Sequence, residues 1–265
     1  MLLTRMLTAI IGMPIILMCV YCGNVPFYIM MLIISFLCVH EYLIISKKYN
    51  PHNVVSLVMA AAFFVFLYFF KDIPVNKVAV AAVTIMLVLF GIEVFGKNPV
   101  LCIGRIASSF LGAFFIPLTL MHIVYIRNLT NGMELTFFIF IVVWTLDTMA
   151  YAFGKIFGKH KLAKNVSPKK TLEGTAAGIV FGILAAVACR YIFMCDILTL
   201  QDAAILGLVV AVVGQFSDLA ESLIKRDGSV KDSGKIIPGH GGVFDRFDSY
   251  MFAAPAMYYA LQLLK

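Results

Sequence analysis

Between Asp218 and Asp248 this chain gathers six of its fourteen acidic residues, Asp218, Glu221, Asp227, Asp232, Asp245 and Asp248, among Lys225, Arg226, Lys231, Lys235, His240 and Arg246. Carboxylate oxygens hold hard cations, and ammonium and guanidinium groups hold phosphate, so the segment has the composition of a site for a metal and an anion. The alternative is a solvated loop. Against it stands the cost of keeping so much charge beside a bilayer without partners.

The spacing sharpens this. At 100° per residue Asp218, Glu221, Ser222 and Lys225 share one helix face, a stack that can line a polar cleft. Asp245 and Asp248, at i and i+3, can point the same way from the first turn of the next helix, although acids also favour helix N-termini for their own sake. Mg2+ takes a few carboxylates together with substrate phosphate oxygens, and Asp218, Asp245 and Asp248 could supply such a shell. Between these helices Gly239, Gly241 and Gly242 follow Pro238, a turn whose N–H groups could face an anion. Upstream, Asp147 stands alone in the apolar run VVWTLDTMAYAFGK, with Tyr151, Gly154 and Gly158 on its face; the small residues also suit close helix packing. Ser167, Lys169 and Lys170 in SPKKTLEG resemble a phosphate-facing turn, or else an ordinary juxtamembrane basic patch. Glu41, Glu93 and His40 approach span ends and are left outside the site; His52, His122 and His160 read as loop or core residues.

The elements that must position these groups are membrane helices. Hydrophobic residues make up 62% of the chain and charged ones 13%, about half the charge of a soluble domain. Lipid leaves no unpaired backbone, so the recurrent apolar runs read as transmembrane helices. About nine are expected, near 5–22, 26–46, 54–70, 76–95, 105–126, 134–154, 173–194, 202–225 and 249–264, in a single membrane domain over 1–265, with N-terminal helices to about 130 and the motif-bearing helices and loops beyond. Pro14, the lack of a small-residue cleavage site after Cys22 and the immediate continuation into a second run favour a span over a signal peptide at the start. Counted with the span ends beside them, the loops after even-numbered spans hold fifteen Lys and Arg; those after odd-numbered spans, counted the same way, hold Lys71, Lys77, Arg127 and Arg190. This asymmetry predicts a cytoplasmic N-terminus and cytoplasmic charged loops, in a multi-pass protein of the inner (plasma) membrane. The net charge of +7 could also help recruit an acidic lipid. The six cysteines lie in or beside apolar runs and suggest packing residues, not a disulfide framework or a metal site.

With these residues in view, the chain resembles the phosphatidate cytidylyltransferases, or CDP-diglyceride synthetases. Ser222, Lys225, Arg226, Lys231, Asp232, Gly234, Pro238, His240, Gly241, Gly242, Asp245, Arg246 and Asp248 meet that family's signature without a gap, and SPKKTLEG and Asp147, Ala150 and Tyr151 look like it too. Ser217 stands where the family frequently has glycine, which puts the closeness of helix packing there in question. The resemblance implies Mg2+-dependent transfer from CTP to phosphatidic acid, a second cation, monovalent or divalent, and a homodimer; no nucleic acid is involved. It further implies Asp218, Asp245 and Asp248 on the metal, and Lys225, Arg226, Lys231 and Arg246 on the triphosphate or lipid phosphate. Ser222, His240, Gly241 and Gly242 would bind substrate, Ser167, Lys169, Lys170 and Thr171 would form an opposite wall, and Asp147, Tyr151 and Glu221 would order a supporting network. A CTP-dependent lipid kinase, which would release CDP instead of pyrophosphate, and a transporter with docking loops are the competing readings.

Overall fold

The structure is a computed structural model, and it describes residues 2–70, 74–96, 99–239 and 241–264, with only the backbone described for 2–9 and 11. It is helical almost throughout: α1 (Leu2–Cys22), α2 (Asn24–Ile45), α3 (Asn53–Tyr68), α4 (Val75–Val94), α5 (Cys102–Phe110), α6 (Ile116–Arg127), α7 (Gly132–Phe157), α8 (Leu172–Phe193), α9 (Leu200–Asp227) and α10 (Phe244–Leu263). Among the described residues six helical runs are long and apolar enough to cross a membrane: Asn24–Tyr49, Val75–Val94, Cys102–Arg127, Gly132–Phe157, Leu172–Phe193 and Leu200–Asp227. Gly12–Cys22 and Asn53–Tyr68 are shorter apolar helices. The protein is thus an all-α, multi-pass membrane protein. One wide π-turn, Leu111–Phe115, joins α5 to α6 in a single run.

The chain divides into two compact units. The first contains residues 1–125 and 224–247, the second 126–223 and 248–265. In the first unit, α3 is fastened by Tyr125, whose hydroxyl donates to the Leu67 carbonyl at 2.8 Å. Glu93 and His52, left outside the site by the sequence reading, meet Arg105 here: Arg105 donates through Nε and Nη2 to the two oxygens of Glu93 at 2.5 and 2.9 Å, and His52 Nε2 lies 2.7 Å from Glu93 Oε1. Arg105 is buried and Glu93 half-buried. An ion pair out of water needs such bidentate geometry, and losing one partner strands the other.

In the second unit, α7 and α8 approach closely through Gly154 and Gly174. A Cβ at Gly174 would stand 2.5 Å from the Ala150 carbonyl oxygen and 2.9 Å from Gly154 Cα, so only glycine allows these backbones to meet. Close approach of this kind drives association in lipid, where apolar burial alone offers little between helices. α9 meets α10 through Ser217, which is fully buried; its hydroxyl donates to the Asp248 carbonyl and accepts from the Phe252 N–H. The position where the sequence departs from the glycine frequent in the family it resembles therefore carries a polar link between the two helices.

Candidate active site

One cluster of carboxylates capable of holding a metal occurs among the described residues. Asp218 and Glu221 come from α9 and Asp248 from the first turns of α10, and one oxygen of each lies within 4.8 Å of the others. Glu221 is fully buried and Asp218 and Asp248 are half-buried. Three carboxylates this close repel each other unless a cation or protons lie among them. An all-oxygen donor set suits a hard divalent cation. Lys170 completes the arrangement, its Nζ 2.5 Å from Asp218 Oδ2. Ser222 Oγ lies 3.5 Å from Asp218 Oδ1, a long contact. Asp147 is exposed on α7, within electrostatic reach of Asp248. Tyr151 is 72% exposed.

Lys170 reaches Asp218 because the segment before α8 is a hairpin. β1 (Lys161–Ala163) pairs antiparallel with β2 (Ser167–Thr171), Lys161 opposite Thr171 and Ala163 opposite Ser167. The phosphate-facing turn read from SPKKTLEG is therefore a strand, and its alternation separates Lys169, which is exposed, from half-buried Lys170. Thr171 is buried, and its hydroxyl caps α8 by accepting the Gly174 N–H at 3.2 Å. Such a cap satisfies one of the free N–H groups of a helix start. Glu173 closes the hairpin from the other side, accepting the N–H groups of Lys159 and His160, each at 3.1 Å, with His160 Nδ1 2.6 Å away.

Asp245 does not share the partners of Asp248. In the first unit its Oδ1 accepts from Lys225 Nζ at 2.8 Å and its Oδ2 from the N–H groups of Ser233 at 3.0 Å and Gly242 at 3.1 Å. Burial alone would push the Asp245 carboxyl up, but the Lys225 ammonium and the two N–H donors outweigh it and hold the group down to about 2. Gly241 has φ +88°, a left-handed conformation that favours glycine, and the turn at Gly239 is similar with φ +79°. The turn thus forms as the sequence suggests, but the Gly242 N–H is turned to a carboxylate within the chain. The Phe244 N–H likewise goes to Glu41 at 2.8 Å. Arg226, Lys231 and Arg246 are exposed, with Arg226 Nη1 donating to the Val230 carbonyl at 3.0 Å. His240 lies outside the described residues.

Sequence reasoning passed over Glu41. It is 1% exposed, and its Oε2 accepts from both Ser233 Oγ, at 2.9 Å, and the Phe244 N–H. Its signal was a lone acid in the apolar run of α2, the same signal that marked Asp147.

A multi-pass membrane protein with a carboxylate cluster, an opposed lysine and a glycine turn rich in cations is the class that fold and site define. The chain belongs to the cytidylyltransferase family, which it matches over residues 3–264. It is 33% identical over 265 residues to a phosphatidate cytidylyltransferase of Bacillus subtilis, an alignment covering 98% of this chain and 97% of that one. A phosphatidate cytidylyltransferase of Staphylococcus saprophyticus is 40% identical over 157 residues, 56% of this chain and 59% of that protein. One of Staphylococcus aureus is 38% identical over 156 residues, with the same coverage.

Proposed function

We propose that this protein is a phosphatidate cytidylyltransferase: an oxygen of the phosphate of phosphatidic acid attacks the α-phosphorus of CTP, the bond to the β-phosphate breaks, and CDP-diacylglycerol and pyrophosphate result. The observation that carries this reading is the Asp218, Glu221 and Asp248 cluster opposed by Lys170 in a chain of this family. The lipid phosphate is already a nucleophile, so the protein needs no covalent catalyst. Its task is to bring two anions together and neutralise them.

Asp218, Glu221 and Asp248 fit Mg2+ by donor type and mutual distance, and are proposed as its ligands. Mg2+ bound there supplies positive charge to offset that of the nucleotide phosphates, and a second cation would do the same. Asp245, expected from the sequence on the metal, is proposed instead to organise Lys225 and the glycine turn, which suits its three bonded partners. Lys170 orients Asp218 and meets phosphate when the site is loaded. Lys225, Arg226, Lys231 and Arg246 are the proposed phosphate partners of the signature segment, and Ser222, His240, Gly241 and Gly242 are proposed to bind substrate. Ser167 and Lys169 are proposed to face substrate, and Asp147 and Tyr151 to support the cluster, while capping supports a positioning role for Thr171. Nine spans, a cytoplasmic N-terminus, a cytoplasmic active site in the plasma membrane and a homodimer complete the proposal, the orientation supported by the lysine and arginine bias.

The deciding experiment is pyrophosphate release from CTP by the purified protein in detergent, with and without phosphatidic acid and Mg2+. Release that needs all three supports the reading. CDP release, or none, overturns it.

A further inference from the structure

Residues 224–247 are held on the C-terminal end of α2. Lys48 Nζ bonds Asp227 Oδ1 at 2.5 Å, a Cβ at Gly228 would stand 2.5 Å from the Ile45 carbonyl oxygen, and the rings of Tyr42 and Phe244 lie 6.2 Å apart. At the centre is Glu41. Its carboxylate ties together Ser233 and Phe244, the two ends of the glycine turn, and the Ser233 hydroxyl in turn accepts the Asp245 N–H at 3.3 Å. The turn is shaped around that carboxylate: a Cβ at Gly234 would lie 2.3 Å from Glu41 Oε1, and one at Gly242 2.4 Å from Oε2. A lone buried carboxylate is costly to keep, and here it is kept by donors that belong to one loop.

We infer that Glu41 is a positioning residue of the reaction: it fixes the turn from Ser233 to Phe244 so that Asp245 holds Lys225 where a phosphate can be met. It touches no substrate, and acts through Ser233, the Phe244 N–H and Asp245. This rests on the cytidylyltransferase reading for its chemical consequence, but not for the anchoring of the loop. α2 thereby acquires a function that its apolar sequence does not announce.

The test uses full-length protein in detergent, with Glu41→Ala, Glu41→Gln and Gly234→Ala variants and the double variant Glu41→Ala/Gly234→Ala. Steady-state kinetics are taken on material that elutes as the wild type does, alongside amide hydrogen exchange over 232–247. Glu41→Ala is expected to lower kcat about tenfold or more and to speed exchange at Ser233 and Phe244. Glu41→Gln, which keeps an acceptor oxygen for both donors, recovers a substantial part of kcat and of the protection. Gly234→Ala alone loosens the same amides, and adds little once Glu41 is alanine, because the clash is with its carboxylate. Unchanged exchange in Glu41→Ala overturns the anchoring, and normal kcat with loosened amides overturns the positioning role. Wild-type protein that binds no CTP and turns over nothing, with Glu41→Ala still loosened, defeats the cytidylyltransferase reading while the anchoring stands.

Discussion

Chemistry at this site is proposed to depend on Asp218, Glu221 and Asp248, whose carboxylates cluster. Replacing Asp218 or Asp248 with Asn keeps shape and removes a charge from the shell, so cytidylyl transfer should fall on the order of a hundredfold and demand more Mg2+, read as a shifted metal dependence of pyrophosphate release. Lys170→Met should weaken turnover less, because it leaves all three oxygen ligands in place. Asp245 carries a different expectation. Its carboxyl is held down to about 2 against about 3.9 in an unfolded chain, so the ionised group favours the folded state. That stabilisation is fully present above about pH 4 and is lost as pH falls towards 2. Asp245→Asn should therefore lower thermal stability at neutral pH, by about 3 kcal/mol for loss of the charge opposite Lys225, and lose less than the wild type does on acidification. Equal acid sensitivity in both proteins would count against this pairing.

Helices and hairpin set where those residues can go. α7 and α8 approach through Gly154 and Gly174, and the hairpin between them delivers Lys170 to Asp218. Gly174→Ala places a methyl group 2.5 Å from the Ala150 carbonyl oxygen, so the helices must part. A loss of about 1–3 kcal/mol is expected, and with it a drop in activity as Lys170 shifts; a differential scanning measurement beside the kinetics checks both. In the first unit, Glu93→Leu removes the carboxylate that neutralises Arg105, whereas Glu93→Leu with Arg105→Leu removes both charges. The single variant should yield far less folded protein than the double one.

Across the whole molecule, the chain divides into two compact units. The first takes 1–125 together with 224–247, and the division falls inside the signature, between Phe247 and Asp248. The N-terminal helices are thus more than a run of apolar spans: they share a compact unit with the cation-rich loop. Orientation is testable at the same scale. Single cysteines at 164 and 235, in a background without the native six, should react with an impermeant maleimide only from the cytoplasmic side, and one at 131 only from the opposite side.

The class of fold and the acidic and basic residues of the site were legible from composition and local spacing, because apolar runs of membrane length and i, i+4 faces are properties of neighbouring residues. Asp218, Glu221 and Ser222 were placed together by helical period alone, and Asp248 was expected beside Asp218. That Glu221 clusters with Asp218 and Asp248 while Asp245 bonds Lys225 and two N–H groups was not legible. It depends on which carboxylate α9 and α10 turn towards each other and which finds Lys225 and two N–H donors first. Nor did SPKKTLEG disclose a strand, since pairing with Lys161–Ala163 is settled by Glu173 and the Thr171 cap closing the hairpin. Glu41 lies 192 residues before Ser233, and no local pattern links them. Only the folded chain brings that carboxylate to the loop, where hydrogen bonds from Ser233 and Phe244 make its burial tolerable.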